Sequence, residues 1–510
     1  MGLEMNAPVG TFTAERIAIR RSRPAPLGSR VSAACIVVIV SAAVAIVAML
    51  FEMRAEWASP AGFSPAVVFW NERVLHAALW WPPVLVTLTL WSLALVGLVT
   101  TLLCVGTRSP KRTAAALIAV QAVLLGLFLL SPMPLDADQY AYVAYGDLIA
   151  LGYSPYDPPL KHSPLTPQLH EVGTVWSNDE GAPDARERVV IRDKYGPALT
   201  LAMAAALRPF VGMSLETQGR ILRVLVALAC LTVTLLLWGE LRNRPWGAAA
   251  LAAFALNPLV VTQTAIGAHD DLLAVLPVIV AYRYAVRARY LLAALFLGLS
   301  IACKLTFAPF AVPLVAFAYA RTRRTGTAIV LALSIVAVPV AFALPFGVRD
   351  ALIRPFADAQ AYNASLLFAY LGAGLRRMTH DLWLADAVQH WASVTLVVLC
   401  SALIGVLALR GRRQPLLEIA LLLLLFTAAR QQTWYALNLT PALLIPGRWP
   451  IAVFLGCSLA SQAIQRKNFI GGWDAPPFVP FLVLAVVISL GLALAFGKLN
   501  PFIMQGHARK

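Results

Sequence analysis

The sequence predicts an all-α polytopic membrane protein, a single helical bundle of about 11–14 transmembrane helices with a large first extracytoplasmic loop. Three observations predict it. Of the 510 residues 60% are hydrophobic and 13% charged, and the mean hydropathy is +0.74, whereas an ordinary soluble domain is roughly 45–50% apolar. Uncharged runs near the ~20 residues needed to cross a bilayer recur from Val31 to Phe496. Lys and Arg gather in short clusters at the ends of these runs, so the net charge of +16 marks orientation rather than a basic face for nucleic acid.

Arg16, Arg20, Arg21, Arg23 and Arg30 precede the first run, which assigns residues 1–30 to the cytoplasm and leaves 31–510 as one transmembrane domain. Val31–Phe51 is too long for the apolar core of a signal peptide and is read as a retained helix. Spans at Pro82–Val105 and Thr113–Ser131, separated by Arg108, Lys111 and Arg112, then carry the chain to the outer side. Residues 132–195 are expected to form the first extracytoplasmic loop. From Pro132 to Lys194 it holds ten of the chain's 25 acidic residues against five Lys and Arg, an inversion that calls for a functional explanation.

Ala198–Leu207 is cut off by Arg208-Pro209 and is too short to span, so it is expected to lie in the interface on the outer side. Ile221–Trp238 then runs inward to Arg242 and Arg244. Trp246–Ile266 returns and delivers His269, Asp270 and Asp271 to the face of the acidic loop. Leu272–Ala285, Tyr290–Cys303 and Leu305–Ala320 follow, with basic turns at Arg283, Arg287 and Arg289 and at Arg321, Arg323 and Arg324, which puts Lys304 at an outer turn. Thr327–Phe346 leads to a second extracytoplasmic segment, 347–386. Ala387–Leu409, Leu416–Ala429, Trp434–Ile445, Ile451–Ile464 and Phe478–Phe496 complete the bundle. The six cysteines are scattered singly through apolar runs with no metal-ligand spacing, and they are read as small packing residues; no metal or other cofactor is expected. No internal repeat or pair of matching interrupted helices appears, which weighs against an inverted-repeat transporter.

Several polar constellations stand out against this background. Asp136-Ala-Asp138-Gln-Tyr140-Ala-Tyr142 follows directly on a span, and Tyr156 lies further along the loop. Two carboxylates followed by tyrosines at helical spacing offer a general base beside an aromatic surface suited to a sugar ring. The same residues also fit a capping turn with an interfacial aromatic belt. Asn257-Pro258 breaks a span, and Gly267-Ala268-His269-Asp270-Asp271 ends it. Ionisable groups so near the hydrocarbon usually mark a site, although carboxylates here also suit the N-terminus of the next helix. Lys304 and Arg430 are isolated cations at apolar ends, fit either to hold a lipid-linked phosphate or to snorkel to the interface. Tyr195 in Lys194-Tyr195-Gly196-Pro197, and Trp434-Tyr435, are aromatic either for substrate or for the membrane belt. No nucleotide-binding glycine pattern is present.

The run from Asp138 to Tyr142 with Gly146 and Gly152-Tyr153-Ser154-Pro155-Tyr156 resembles the first extracytoplasmic loop of the GT-C membrane glycosyltransferases. It is most similar to mannosyltransferases of the actinobacterial type that use polyprenyl-phosphate mannose. Tyr195-Gly196-Pro197, Asn257-Pro258 and Gly267-Ala268-His269-Asp270-Asp271 follow in the order of that family, with Ala268 and Asp270 standing where it often has Gly and Asn. The resemblance implies inverting transfer of a sugar, mannose, from a polyprenyl-phosphate donor to an acceptor hydroxyl of a glycolipid or polysaccharide. It makes Asp138 the general base, with Asp136 in reserve and His269 beside it. Tyr140, Tyr142, Tyr156, Tyr195, Asp270, Asp271, Trp434 and Tyr435 then serve substrate binding, and Lys304 and Arg430 meet the donor phosphate. The expected partners are the donor, the glycan or glycolipid acceptor and membrane lipids, without nucleic acid, at a bacterial inner membrane with the site facing outward. The alternatives are a flippase for lipid-linked oligosaccharides, which would want polar groups near mid-membrane, and a ligase or polymerase of the O-antigen type with a diphosphate donor.

Overall fold

The structure is a computed structural model that describes residues 82–105, 107, 109–130, 137–156, 193, 195–354, 433–445, 447–448 and 450–458, with single helical positions between 375 and 409. The described residues are helical, without strands, as an all-α polytopic membrane protein requires. Helices α1 (Pro82–Val105) and α2 (Pro110–Leu130) open the bundle. Two short helices follow, α3 (Ala137–Ala150) and α4 (Pro197–Leu207). The 27-residue α5 (Leu215–Leu241) starts at Ser214, whose hydroxyl accepts from the Thr217 amide. Helices α6 (Gly247–Ala255) and α7 (Pro258–Ala265) form a bent pair, followed by α8 (Asp271–Val286) and α9 (Tyr290–Cys303). A 3-10 turn, Leu305–Phe310, leads into α10 (Ala311–Thr322), and α11 (Thr325–Ala343) returns.

Among the described residues four helical stretches are long and apolar enough to cross a membrane: Pro110–Leu130, Thr217–Leu241, Leu305–Thr322 and Thr325–Phe346. The α6–α7 pair, bent by 44°, makes a fifth if it counts as one span. Their outer faces carry large exposed aliphatics, Leu228 and Leu235 on α5 and Ile329, Leu333 and Val336 on α11. Water would penalise such faces, and lipid does not. The expected spans Val31–Phe51, Leu416–Ala429 and Phe478–Phe496 lie outside the described residues.

Proline sets the breaks. At Asn257-Pro258 the missing N–H ends α6, and the Asn257 side chain accepts from the Leu259 amide to start α7. Trp434–Ile445, expected as a span, falls on a 3-10 helix, Thr433–Leu444, containing Pro441, which removes a donor that an α-helix needs. Carbonyls freed at such breaks must find partners inside the bundle. Trp91 Nε1 donates to Leu256 O at 2.9 Å at the end of α6. The buried Arg223 donates to Ala265 O and to Phe128 O, each at 2.5 Å, at the ends of α7 and α2. Elsewhere Gln121 binds Thr234 (2.7 Å) and Cys230 (3.3 Å), tying α2 to α5.

The basic residues and the polar motifs collect at opposite ends of this bundle. Arg283 and Arg287 at the end of α8 pair with Glu240 at the end of α5 (3.4 and 3.3 Å). The other end, where α2, α7 and α9 finish and α5 and α8 begin, carries α3 and α4. These two helices touch through Gly146, whose added Cβ would stand 3.3–3.4 Å from Leu207 and the Ala204 amide. At 11 residues, α4 is roughly 16 Å long and cannot cross ~30 Å of hydrocarbon.

Candidate functional site

The site forms where four sequence motifs meet at that end. Helix α7 stops at Ala265, and the chain turns through Gly267 and Ala268 to reach α8. Gly267 N donates to Thr262 O and His269 N to Gln263 O, both at 3.1 Å. A Cβ on Gly267 would lie 2.5 Å from the His269 ring, so a larger residue there would displace the imidazole from its place. Ala268 sits in the left-handed region at φ 44°, the position where glycine is common in the resembled motif and where an L side chain costs about 1–2 kcal/mol. The result points His269, Asp270 and Asp271 into the protein, all 1% exposed or less.

Asp270 is the N-cap of α8 but makes no side-chain capping bond, and Asp271 lies in the first turn. Both instead bind Lys304: the ammonium is 2.6 Å from Asp271 Oδ1 and 3.3 Å from Asp270 Oδ1. Lys304, which the sequence pairs with the donor phosphate, therefore spends its charge on two carboxylates that would be too costly to bury without it. With two Asp and one Lys ionised, this cluster carries a net charge of −1. Asp270 Oδ2 and Asp271 Oδ2 have no hydrogen-bond partner among the described residues.

The Tyr195-Gly196-Pro197 motif seats itself on the same cluster. Gly196 N donates to Cys303 O at 3.1 Å, next to Lys304. A Cβ at Gly196 would fall 2.1 Å from Ala302 O, so only glycine permits this approach of α4 to α9. Helix α3 arrives from the other side, because the Gln139 carboxamide donates to Ile266 O, immediately before the Gly267 turn. Asp138, its neighbour, is thereby placed beside that turn in backbone position. The structure describes the backbone alone at Asp138, Tyr140, Trp434 and Tyr435; Asp136, Lys194 and Arg430 lie outside the described residues.

The remaining tyrosines are interior. Tyr142 and Tyr195 pack edge to face with ring centroids 4.7 Å apart. Tyr156, fully buried, stacks its tilted ring on Phe346 at 5.3 Å and donates to Tyr195 O at 3.1 Å. They hold the wall of the site through ring edges and a hydroxyl rather than presenting an open ring face.

Two residues in this region go unremarked in the sequence. Asp193 is buried and accepts from Thr200 Oγ1 at 2.5 Å and from the Tyr195 amide at 2.8 Å. The bond to the amide two residues on is an Asx turn, and an Asp placed four residues before a helix-opening proline is the sequence feature that marks it. Burial pushes its carboxyl up from 3.8 to about 7, against the lowering effect of these bonds, with Asp270 adding repulsion. Asp193 thus keeps its proton in the folded chain after the unfolded chain has released it. The folded state is therefore favoured at low pH, and this contribution is lost as pH rises from 3.8 to about 7. Asp193→Asn, whose amide oxygen still accepts, is expected to flatten that part of the stability–pH profile. Thermal unfolding across the range checks it, and parallel profiles for variant and wild type would contradict it.

Asn438 is the second. It is fully buried in the Thr433–Leu444 segment, which packs on α8, and its carboxamide stands beside Asp271. A lone carboxamide within an apolar run is the feature that marks it in sequence.

A family model described as alpha-(1->6)-mannopyranosyltransferase, N-terminal domain, matches residues 46–321, more than half of the chain. The match spans the four motifs and Lys304, and ends before the Thr433–Leu444 segment. No curated protein and no solved structure matches the chain.

Proposed function

This chain belongs to the alpha-(1->6)-mannopyranosyltransferase family, and from that premise we propose that it takes mannose from a polyprenyl-phosphate donor, with inversion, at the outer face of a bacterial inner membrane. It is a multi-pass membrane mannosyltransferase, so mannosyl transfer to a glycan acceptor is the reaction, and transport without bond formation falls away. The observation that carries the finer reading is the convergence of Asp138, His269–Asp271 and Lys304 at one end of the bundle, joined by the Gln139–Ile266 and Gly196–Cys303 hydrogen bonds. That end lies opposite the Arg283–Arg287–Glu240 cluster, which supports an extracytoplasmic site under the positive-inside rule.

In this reading the acceptor hydroxyl oxygen attacks C1 of mannose as the C1–O bond to phosphate breaks. The electron pair leaves with the polyprenyl phosphate, and Asp138 accepts the hydroxyl proton. Asp136 is the reserve base, and His269 assists from the neighbouring turn. Arg430 meets the donor phosphate, while Lys304 supports the site by neutralising Asp270 and Asp271. Tyr140, Trp434 and Tyr435 supply aromatic contact to the sugars, and Tyr142, Tyr156 and Tyr195 fix the walls. Inversion to an α-linked product requires a β-linked donor.

Purified protein offered polyprenyl-phosphate β-mannose, polyprenyl-diphosphate mannose and a nucleotide-linked mannose in separate reactions tests the proposal. The expected result is an α-(1→6)-linked product from the first alone, read by NMR of the anomeric proton. Product from either of the other donors alone would overturn it.

A further inference from the structure

The atoms left unpaired around Lys304 define more than a charge cluster. Asp270 Oδ2, Asp271 Oδ2 and both carboxamide atoms of Asn438 are buried without a hydrogen bond of normal geometry among the described residues, although the Asn438 carboxamide lies close to Asp271. All three side chains are 1% exposed or less. Each such atom is desolvated without compensation unless something binds it, and gathering four of them in one place is not the pattern of a helix end packed for stability. Asn438 comes from a segment more than 130 positions beyond Lys304 in the chain, so its presence here is independent of the acidic motif.

The chemistry of the missing partner follows from the inventory. Three acceptor oxygens and one amide donor are left to be satisfied there, in a cluster with a net charge of −1. An anion such as phosphate is repelled. A hard divalent cation wants six or more oxygens and would displace the ammonium already seated on both carboxylates. Neutral hydroxyls match: each donates to a carboxylate or amide oxygen and can accept from the Asn438 amide. Adjacent ring hydroxyls of a sugar present that pattern, and Lys304, 12% exposed, marks the side from which they enter.

We propose that Asp270, Asp271 and Asn438 form the subsite that grips adjacent ring hydroxyls of the acceptor mannosyl residue, with Lys304 as its internal counter-ion. The proposal rests on the mannosyl-transfer reading above and adds which substrate this cluster holds. It makes Asn438, beyond the family-matched region, a specificity residue for the acceptor rather than the donor.

The test uses α-(1→6)-mannobiose and its monodeoxy analogues with the full-length protein in detergent. On wild type, mannobiose is expected to raise the thermal unfolding midpoint, and at least one ring-deoxy analogue to bind roughly 10-fold more weakly. Asn438→Ala, and Asn438→Leu as a variant that keeps the volume, are expected to raise the acceptor KM roughly 10-fold or more with donor KM and kcat near wild type. On these variants the critical deoxy analogue loses nothing further. Equal binding of all ring-deoxy analogues to wild type would mean that the polar atoms hold only water, and would overturn the proposal, as would variants that raise the donor KM instead. Mannobiose binding is read without turnover, so binding with no transfer from polyprenyl-phosphate mannose would sink the donor assignment and leave this subsite standing.

Discussion

Asp138→Asn is expected to slow mannosyl transfer by about 10²–10⁴-fold, the usual contribution of a positioned general base, while the protein remains folded and binds acceptor. The substitution separates the two roles the residue can have. Position 138 lies in the first turn of α3, where a carboxylate or a carboxamide serves the helix start nearly equally well. Asparagine therefore keeps the size and polarity of the side chain and loses the ability to take a proton. If Asp138 matters solely as a cap, the variant turns over normally and the base must be sought elsewhere, first at Asp136. If it is the base, turnover falls with little change in acceptor KM or in the unfolding midpoint. Because Gln139 anchors α3 to Ile266, the backbone at 138 stays in place beside the His269 turn in the variant. Initial rates with polyprenyl-phosphate mannose, alongside the gel-filtration profile, give the answer.

The helices were largely legible because apolar length and proline are local properties. Tyr290–Cys303 ends where Lys304 interrupts its run, Pro82–Val105 matches the uncharged stretch, and the break at Asn257-Pro258 is visible in two letters. The shortness of Pro197–Leu207 is equally plain from Arg208-Pro209. What the residues do not reveal alone is pairing across the bundle. Gln139 with Ile266, Arg223 with Phe128 and Ala265, and Asp193 with Thr200 each satisfy groups that only become neighbours on folding. Lys304 shows the limit most clearly. As a lone cation between two apolar runs it looks available to a phosphate, yet the fold brings it 33 and 34 positions back to Asp271 and Asp270. Asn438 gave even less warning, since an apolar run with proline is compatible with a span, and only the 3-10 path of Thr433–Leu444 sets the carboxamide against α8.

Lys304→Met is expected to destabilise the protein by about 3–5 kcal/mol, the cost of leaving buried charge without its counter-ion. The size follows from the geometry: methionine fills the volume of the stem, so the loss is electrostatic, and the two carboxylates it abandons are adjacent in sequence and 1% exposed or less. Their mutual repulsion adds to desolvation, and the chain relieves both only by taking up a proton or opening this end of the bundle. Adding Asp270→Asn and Asp271→Asn to Lys304→Met is expected to recover most of the lost stability, because the triad is then replaced by neutral groups of nearly the same shape. That triple variant should nonetheless transfer mannose poorly, since the carboxylates that hold the acceptor are gone. Recovery of stability without recovery of activity would show that the charges are kept for substrate and not for folding. The reading fails if Lys304→Met unfolds at the wild-type midpoint, because the two ion pairs would then contribute nothing to holding α8 and α9 together. It also fails if the triple variant regains wild-type acceptor KM, for no neutral cluster should grip the sugar as the charged one does.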